Sequence, residues 1–180
     1  MRTPATWDGG AAMKTRVIQD DSEPATDAVN RQAPVVGMCE TEIAAAPDVV
    51  WEVLTAIEHW SSWNPDVKST SMRGRLAEGS EFRWKAGPGT ITSTIRQLRP
   101  PRLISWTGKA FGIDAMHVYA LEARDGKTFV TTEESYDGLV ARLFSGQLRK
   151  TLDSALENGL RHLKAEAERV TADPTAQRRS

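Results

Sequence analysis

The sequence contains very little cysteine, since Cys39 is the only one among 180 residues. A single cysteine excludes an intrachain disulfide and any metal site built from several cysteines. The absence of disulfides is compatible with a reducing compartment, and we expect a cytoplasmic protein. Cys39 falls in a predicted strand, where we expect a small buried side chain rather than a nucleophile.

Long apolar runs and an excess of one charge are also missing. No stretch of about 18 apolar residues is present, so we expect no transmembrane helix and no integral membrane association. The first residues lack the apolar core of a signal peptide. Lys and Arg number 23 and Asp and Glu number 24, giving a formal net charge of -1. Nucleic-acid-binding proteins usually carry a basic excess, so we expect no nucleic-acid partner.

The sequence has none of the common metal, phosphate or hydrolase motifs. Its histidines, His59, His117 and His162, lie on separate predicted elements and lack ligand spacing. There is no phosphate-binding glycine loop followed by Lys-Ser/Thr, and no G-x-S-x-G turn. We therefore expect no metal site and no cofactor.

Composition divides the chain into one folded unit and two tails. Residues 1–34 are rich in Pro, Asp, Thr and Ala with few large apolar residues, so we predict a disordered N-terminal tail. Residues 171–180 have the same character and form a predicted C-terminal tail. Residues 35–170 have the length of one domain and would bury roughly two thirds of their unfolded surface. We expect a monomer or a homodimer.

The order of periodic segments predicts an α+β protein. "VVGMCETEIAA" is a predicted first strand, and Pro47 suits the first turn of a short helical region that ends at "SSWNP". Several strand-like segments follow. Apolar residues at intervals of three or four then predict one long terminal helix: Phe144, Leu148, Leu152, Leu156, Leu160, Leu163 and Ala167. Helices that are segregated from the strands are typical of the α+β class.

Turn signals allow the strand register to be counted. Asp125-Gly126 favours a two-residue hairpin turn. Outward from it, the predicted pairs on one face are Leu121 with Val130, Tyr119 with Thr132, and His117 with Glu134.

Two further turns place apolar residues on a common face. Counting from Pro100-Pro101 places Ile95 opposite Trp106. An even-length turn at residues 87–89 adds Phe82, Trp84, Ile91 and Ser93 to the same side of the sheet.

Three stretches resemble a known superfamily: "IAAAPDVVWEVLTAIEHWSSWNP", "RPPRLISWTG", and "DGKTFVTTEESYDG" before the terminal helix. They resemble the START-related (SRPBCC) superfamily, in its polyketide cyclase/dehydrase-like and lipid-transport branch. The resemblance implies a helix-grip fold, in which a curved antiparallel sheet wraps around a long C-terminal helix and encloses a cavity. Two short helices would follow the first strand. Such a fold hosts carriers, aromatase/cyclases and chaperone-associated modules, so the site must decide the function.

His117 and Glu134 are the candidate catalytic residues. On the inner face of the hairpin, Glu134 must find a hydrogen-bond donor or take up a proton, and His117 is the natural donor. The pair could act as acid and base near neutral pH, orient the polar end of an apolar ligand, or only tie two strands together. We favour a structural or ligand-orienting role over catalysis.

The remaining candidate site residues are those predicted to line the cavity. They are Trp84, Phe82, Ile95, Trp106, Tyr119, Thr132, Phe144, Leu148 and Trp63.

Three hypotheses for function remain open. The leading one is a carrier or sequestering protein for a small hydrophobic or aromatic ligand, such as a lipid or polyketide-like compound. The second is a cyclase or dehydratase that uses His117 and Glu134. The third is a protein-interaction module of a chaperone- or toxin-associated type.

Overall fold

An antiparallel sheet of seven strands and a long C-terminal helix dominate residues 28–173, the part of the chain that the computed structural model describes. The fold is α+β of the helix-grip type, as predicted. The elements are β1 (Val35–Ile43), α1 (Pro47–Thr55), a 3-10 turn (Ile57–His59), α2 (Trp60–Trp63), β2 (Val67–Met72), β3 (Glu81–Ala86), β4 (Gly89–Arg99), β5 (Leu103–Ala110), β6 (Ile113–Arg124), β7 (Lys127–Asp137), α3 (Leu139–Leu143) and α4 (Ser145–Ala172).

The predicted tails fall largely outside the described residues, since 1–27 and 174–180 are not among them. Asn30 and Arg31, which we assigned to the N-terminal tail, contact the sheet. Asn30 Nδ2 donates to Asp137 Oδ2 at 2.8 Å, and Arg31 lies 2.7 Å from a carboxylate oxygen of Glu133. At the other end, α4 continues to Ala172, two residues beyond the predicted boundary.

The strand order is β1-β7-β6-β5-β4-β3-β2, so the first and second strands form opposite edges and α1 and α2 connect them. Gly37 in β1 allows α4 to pack closely on the sheet. A Cβ atom there would lie 3.0 Å from Leu152 Cγ and 3.0 Å from Leu156 Cδ1. Of the described helices, none has the length and apolar character needed to cross a membrane.

The β6–β7 hairpin has the predicted register. Leu121 pairs with Val130 and His117 with Glu134. Asp125 and Gly126 both have positive φ, of 49° and 78°, which two-residue hairpin turns of this kind require. The Asp-Gly signal therefore fixes the position of every side chain along the hairpin.

The predicted pairings within β3–β4 and β4–β5 are also found. In β4–β5, two deviations from the predicted register cancel each other. Trp84 pairs with Ile91 across a two-residue turn. Ile95 pairs with Trp106, but Arg99 pairs with Leu103, so the turn contains three residues rather than two. A register shift between Ile95 and Gln97 offsets the extra turn residue and restores the predicted pairing.

The terminal helix buries most of its predicted apolar stripe. The prediction for Phe144 is wrong, because this residue lies between α3 and α4 with φ −119° and ψ 25° and so does not follow the helical period. Its side chain is 56% exposed. Leu148 is half-buried, and the remaining positions form the buried face: Leu152, Leu156, Leu160, Leu163 and Ala167.

Candidate functional site

A cavity of about 570 Å³ lies between the sheet, α2 and α4. Its inner end is aromatic. The rings of Trp106 and His117 lie 4.8 Å apart, as do those of His117 and Tyr119, and the latter pair is stacked with an interplanar angle of 24°. Trp60 closes this end, with its ring 5.6 Å from that of Trp106. Its indole Nε1 is fixed by donating to the Leu54 carbonyl at 2.8 Å.

Small side chains line part of the cavity next to its aromatic end. Gly108 and Ala115 are paired across β5 and β6, directly beside the Trp106–His117 pair. From α4, Ala155 and Gly159 face the same space. This absence of bulk leaves the cavity open above the aromatic end. The lining residues closest to the turns between strands are Gly87, Pro88, Ala110, Phe111 and Ile113.

His117 and Glu134 face each other on the inner side of the sheet. Nδ1 of His117 lies 3.4 Å from Oε2 of Glu134, and their side chains are 10% and 12% exposed. The other imidazole nitrogen, Nε2, lies 2.7 Å from Thr132 Oγ1. On its other side Glu134 pairs with Gly37, which has no side chain to shield it. Leu152 and Leu156 of α4 pack against Gly37 at this point of the sheet.

Burial keeps both members of this pair uncharged near neutral pH. Loss of hydration raises the pKa of Glu134 to about 8 and lowers the pKa of His117 to about 3. No Lys or Arg among the described residues lines the cavity, so no cation offsets the effect on the carboxyl group. Burial also raises the pKa of the Tyr119 and Tyr136 hydroxyl groups, which face the same space.

The pair therefore combines a protonated carboxyl group with a neutral imidazole. A separation of 3.4 Å is long for a hydrogen bond to a carboxyl oxygen. The polar atoms of Glu134 are thus available to a group inside the cavity, to which the carboxyl can donate one hydrogen bond. As a base the pair is poor, because an imidazole with a pKa of about 3 binds a proton weakly near neutral pH.

The predicted site residues fall into three groups. Phe82, Ile95 and Thr132 are buried behind the cavity wall rather than on it, and Phe144 lies on the outer surface, so these four cavity assignments are corrected. Thr132 still takes part in the site through its contact with His117. The others lie on the wall: His117, Glu134, Trp63, Trp84, Trp106, Tyr119 and Leu148.

Sequence reasoning missed several wall residues. Trp60 was not among the predicted cavity residues, and it closes the aromatic end. Ala115 and Tyr136 form the pair of the β6–β7 hairpin that follows His117 and Glu134 on the same face of the sheet. Extending the register count by two residues therefore predicts them. Nothing in the local sequence marks Phe111 as a cavity residue. Phe111 lies in the turn between β5 and β6 with a positive φ of 52°, and its ring lies over Gly89 at the start of β4.

Cys39 lies in β1 as predicted and is half-buried, and burial raises the pKa of its thiol. Among the described residues, no cluster of three or more His, Cys, Asp or Glu side chains could hold a metal ion.

Comparison with protein families decides the classification. The family model described as polyketide cyclase / dehydrase and lipid transport matches residues 39–168, which is more than half of the chain. The chain belongs to this family. No curated protein shows significant sequence similarity to it. Membership of the polyketide cyclase / dehydrase and lipid transport family does not by itself identify a ligand for the cavity.

Solved structures support the same fold at low sequence identity. A hypothetical protein of Helicobacter pylori has a TM-score of 0.71 at 16% identity, covering 87% of this chain and 99% of its own. A START superfamily protein of Mycobacterium smegmatis has a TM-score of 0.66 at 14% identity, covering 75% and 98%. An aromatase/cyclase of Streptomyces has a TM-score of 0.61 at 18% identity, covering 76% and 94%. At these identities the likeness concerns the fold of the family alone.

Proposed function

We propose that the protein binds a small, uncharged and mostly apolar ligand, such as a neutral lipid or polyketide-like compound, as a carrier or sequestering protein. The observation that carries the proposal is the buried His117–Glu134 pair at the aromatic end of a cavity with no Lys or Arg among its described lining residues. Its volume of about 570 Å³ falls within the usual range for small-molecule sites. Membership of a family described by cyclization and lipid transport is consistent with this class of ligand.

The electrostatics of the cavity favour a neutral ligand over an anion. A carboxylate or phosphate would lose its hydration and meet no Lys or Arg on the wall. A carbonyl or hydroxyl oxygen, in contrast, can accept a hydrogen bond from the protonated carboxyl group of Glu134. Trp106 and Tyr119 lie on the cavity wall, and burial of apolar ligand surface against this wall would supply about 25 cal/mol per Å².

Native mass spectrometry tests the proposal most directly. The purified protein is compared with the same sample denatured, and we expect a discrete additional mass that is lost on denaturation. Titration with a neutral aromatic ketone and with an anionic fatty acid of similar size then tests the preference for uncharged ligands. A ligand-free mass together with no binding of neutral aromatic ketones would contradict the proposal.

A second candidate, cyclase or dehydratase activity, is favoured by one observation: Glu134 is a protonated acid at the inner end of the cavity. The similarity in fold to an aromatase/cyclase is compatible with it. Loss of water could be assisted by proton donation from Glu134, but the weak basicity of His117 leaves proton abstraction less well supported. Turnover of a poly-β-keto substrate that disappears in Glu134→Gln would establish it. The interaction-module hypothesis has less support, because the cavity is open rather than filled.

A further inference from the structure

Most of the exposed large apolar side chains of the described chain are concentrated in one region. Leu139 is 70% exposed, Leu143 68%, Phe144 56% and Phe111 69%. We call these four residues the apolar rim. Leu139 and Leu143 are four residues apart in α3, so they share one face of that helix. Solitary exposed apolar residues need no explanation, but a group of them does.

The apolar rim adjoins the cavity. Phe111 belongs both to the rim and to the cavity wall. Its turn lies against α3, since a Cβ atom on Gly112 would be 3.5 Å from Val140 Cγ2. On the other side, Leu148 lies on the cavity wall one helical turn after Phe144. The rim is therefore continuous with the lining of the cavity.

Cations accompany the apolar rim. The stretch from 137 to 153 contains three cationic residues, Arg142, Arg149 and Lys150, and two acidic ones at its ends, Asp137 and Asp153. All three belong to exposed residues, and the Arg149 guanidinium donates to the Val36 carbonyl of β1 at 2.7 Å. The nearby acid Asp114 already pairs with Lys109 at 3.3 Å. The surface thus combines apolar side chains with a local excess of positive charge.

We propose that the apolar rim docks on the surface of a bilayer containing anionic lipids, with the adjoining cavity next to the membrane. Apolar side chains would enter the boundary between headgroups and acyl chains, while Arg142 and Lys150 would face lipid phosphates. The contact is interfacial, since no described helix could cross a bilayer. The proposal concerns the outer surface and does not depend on which ligand the cavity binds.

Vesicle flotation with matched variants tests the apolar part. The full chain is mixed with phosphatidylcholine vesicles that contain or lack phosphatidylglycerol. We expect wild-type protein to float with the anionic vesicles, and the double variant Leu143→Ser, Phe144→Ser to lose about tenfold or more in partitioning. The control is Met38→Ser, since Met38 is 52% exposed on β1, outside the rim. This control is expected to bind like wild type.

The electrostatic part has its own variants. Arg142→Gln and Lys150→Gln are each expected to weaken partitioning about fivefold at low salt. Lys68→Gln and Lys85→Gln remove exposed cations from β2 and β3 and are expected to have little effect. Added salt would reduce the differences, because it screens exposed charges.

Three outcomes would overturn the docking proposal. The first is wild-type protein that does not bind anionic vesicles, and the second is a double variant that binds them equally well while keeping its thermal midpoint. The third is a concentration-dependent dimer that the double variant abolishes, which would assign the rim to a second copy of the chain. Ligand titration of the same variants separates this result from the proposed function, because Leu143 and Phe144 do not line the cavity.

Discussion

Glu134 is the residue whose chemistry depends most on the fold. Its position opposite His117 follows from the Asp-Gly turn, and the sequence predicts it. Its raised pKa depends in addition on burial in the folded protein, where it pairs with Gly37 of β1, an element distant in the chain. The pairing was therefore predictable, whereas the burial that raises its pKa was not.

The raised pKa of Glu134 predicts a loss of stability as the pH rises. In the unfolded chain this carboxyl group loses its proton near its ordinary value of 4.5, whereas in the folded protein it holds the proton up to about 8. Between these values this carboxyl group holds fewer protons in the unfolded state, so its own contribution to the free energy of unfolding falls with rising pH. His117, whose pKa is lowered to about 3, contributes the opposite slope below its ordinary value of 6.5, but it does so in wild type and variant alike. Glu134→Gln removes the effect, and we expect it to be more stable than wild type above about pH 8 by a few kcal/mol.

Urea unfolding at a series of pH values from about 4.5 to 9 measures this difference. Glu133→Gln is the matched control, because Glu133 lies on the adjacent position and pairs with Arg31 at the surface. The stabilities of wild type and Glu134→Gln should converge near pH 4.5 and separate as the pH rises. Parallel curves over the whole range would mean that Glu134 is charged in the folded protein near neutral pH.

The same protonation predicts the pH dependence of ligand binding. Below about pH 8 the carboxyl group of Glu134 can donate a hydrogen bond to a ligand oxygen, and above that value it becomes an unpaired carboxylate. We expect the affinity for a neutral aromatic ketone to fall as the pH rises through 8. Glu134→Gln retains a donor and should bind with modestly lower affinity and no such transition. Isothermal titration calorimetry at about pH 6 and pH 9 compares the two, and an identical pH dependence would remove Glu134 from the ligand contact.

At the scale of elements, prediction from the sequence succeeded where a local signal fixed the geometry. The β6–β7 register was correct because Asp125-Gly126 defines a single turn. The β4–β5 pairing of Ile95 with Trp106 was correct only beyond a bulge that no local signal announces. Phe144 was assigned wrongly because spacing alone cannot locate a break between two consecutive helices.

The packing of α4 on β1 yields a prediction for Gly37. A methyl group at this position would lie 3.0 Å from the side chains of Leu152 and Leu156, which are themselves tightly enclosed in the core. We expect Gly37→Ala to destabilise the protein by about 1–3 kcal/mol through overpacking. Gly146→Ala is the control, since a methyl group there meets nothing within 4 Å and should stabilise α4 by up to about 1 kcal/mol. Thermal unfolding checks both, and stabilisation by Gly37→Ala would show that the helix can move away from the strand.

At the scale of the whole molecule, the sequence predicted a cavity but only part of its wall. Aromatic residues were found because they alternate along strands, and Trp84, Trp106 and Tyr119 line the cavity. The space itself comes from small residues such as Gly108 and Ala155, which are brought together by tertiary packing. Small side chains carry no periodic signal of their own, so the volume of the cavity could not be read from the sequence.

Filling that space should weaken ligand binding without unfolding the protein. Gly159 lies on the cavity wall, and a Cβ atom there would be 3.6 Å from the Tyr119 hydroxyl oxygen, an ordinary contact. We expect the leucine side chain of Gly159→Leu to lie in the cavity. The thermal midpoint should stay the same or rise, because leucine favours the helix over glycine. Ligand affinity should fall at least tenfold, which is roughly the cost of losing burial of a few methylene groups. Gly146→Leu is the control, because Gly146 lies in the same helix but off the cavity wall. It should likewise keep or raise the thermal midpoint and leave ligand affinity unchanged. If neutral ligands bind Gly159→Leu as tightly as wild type, their site lies outside this cavity.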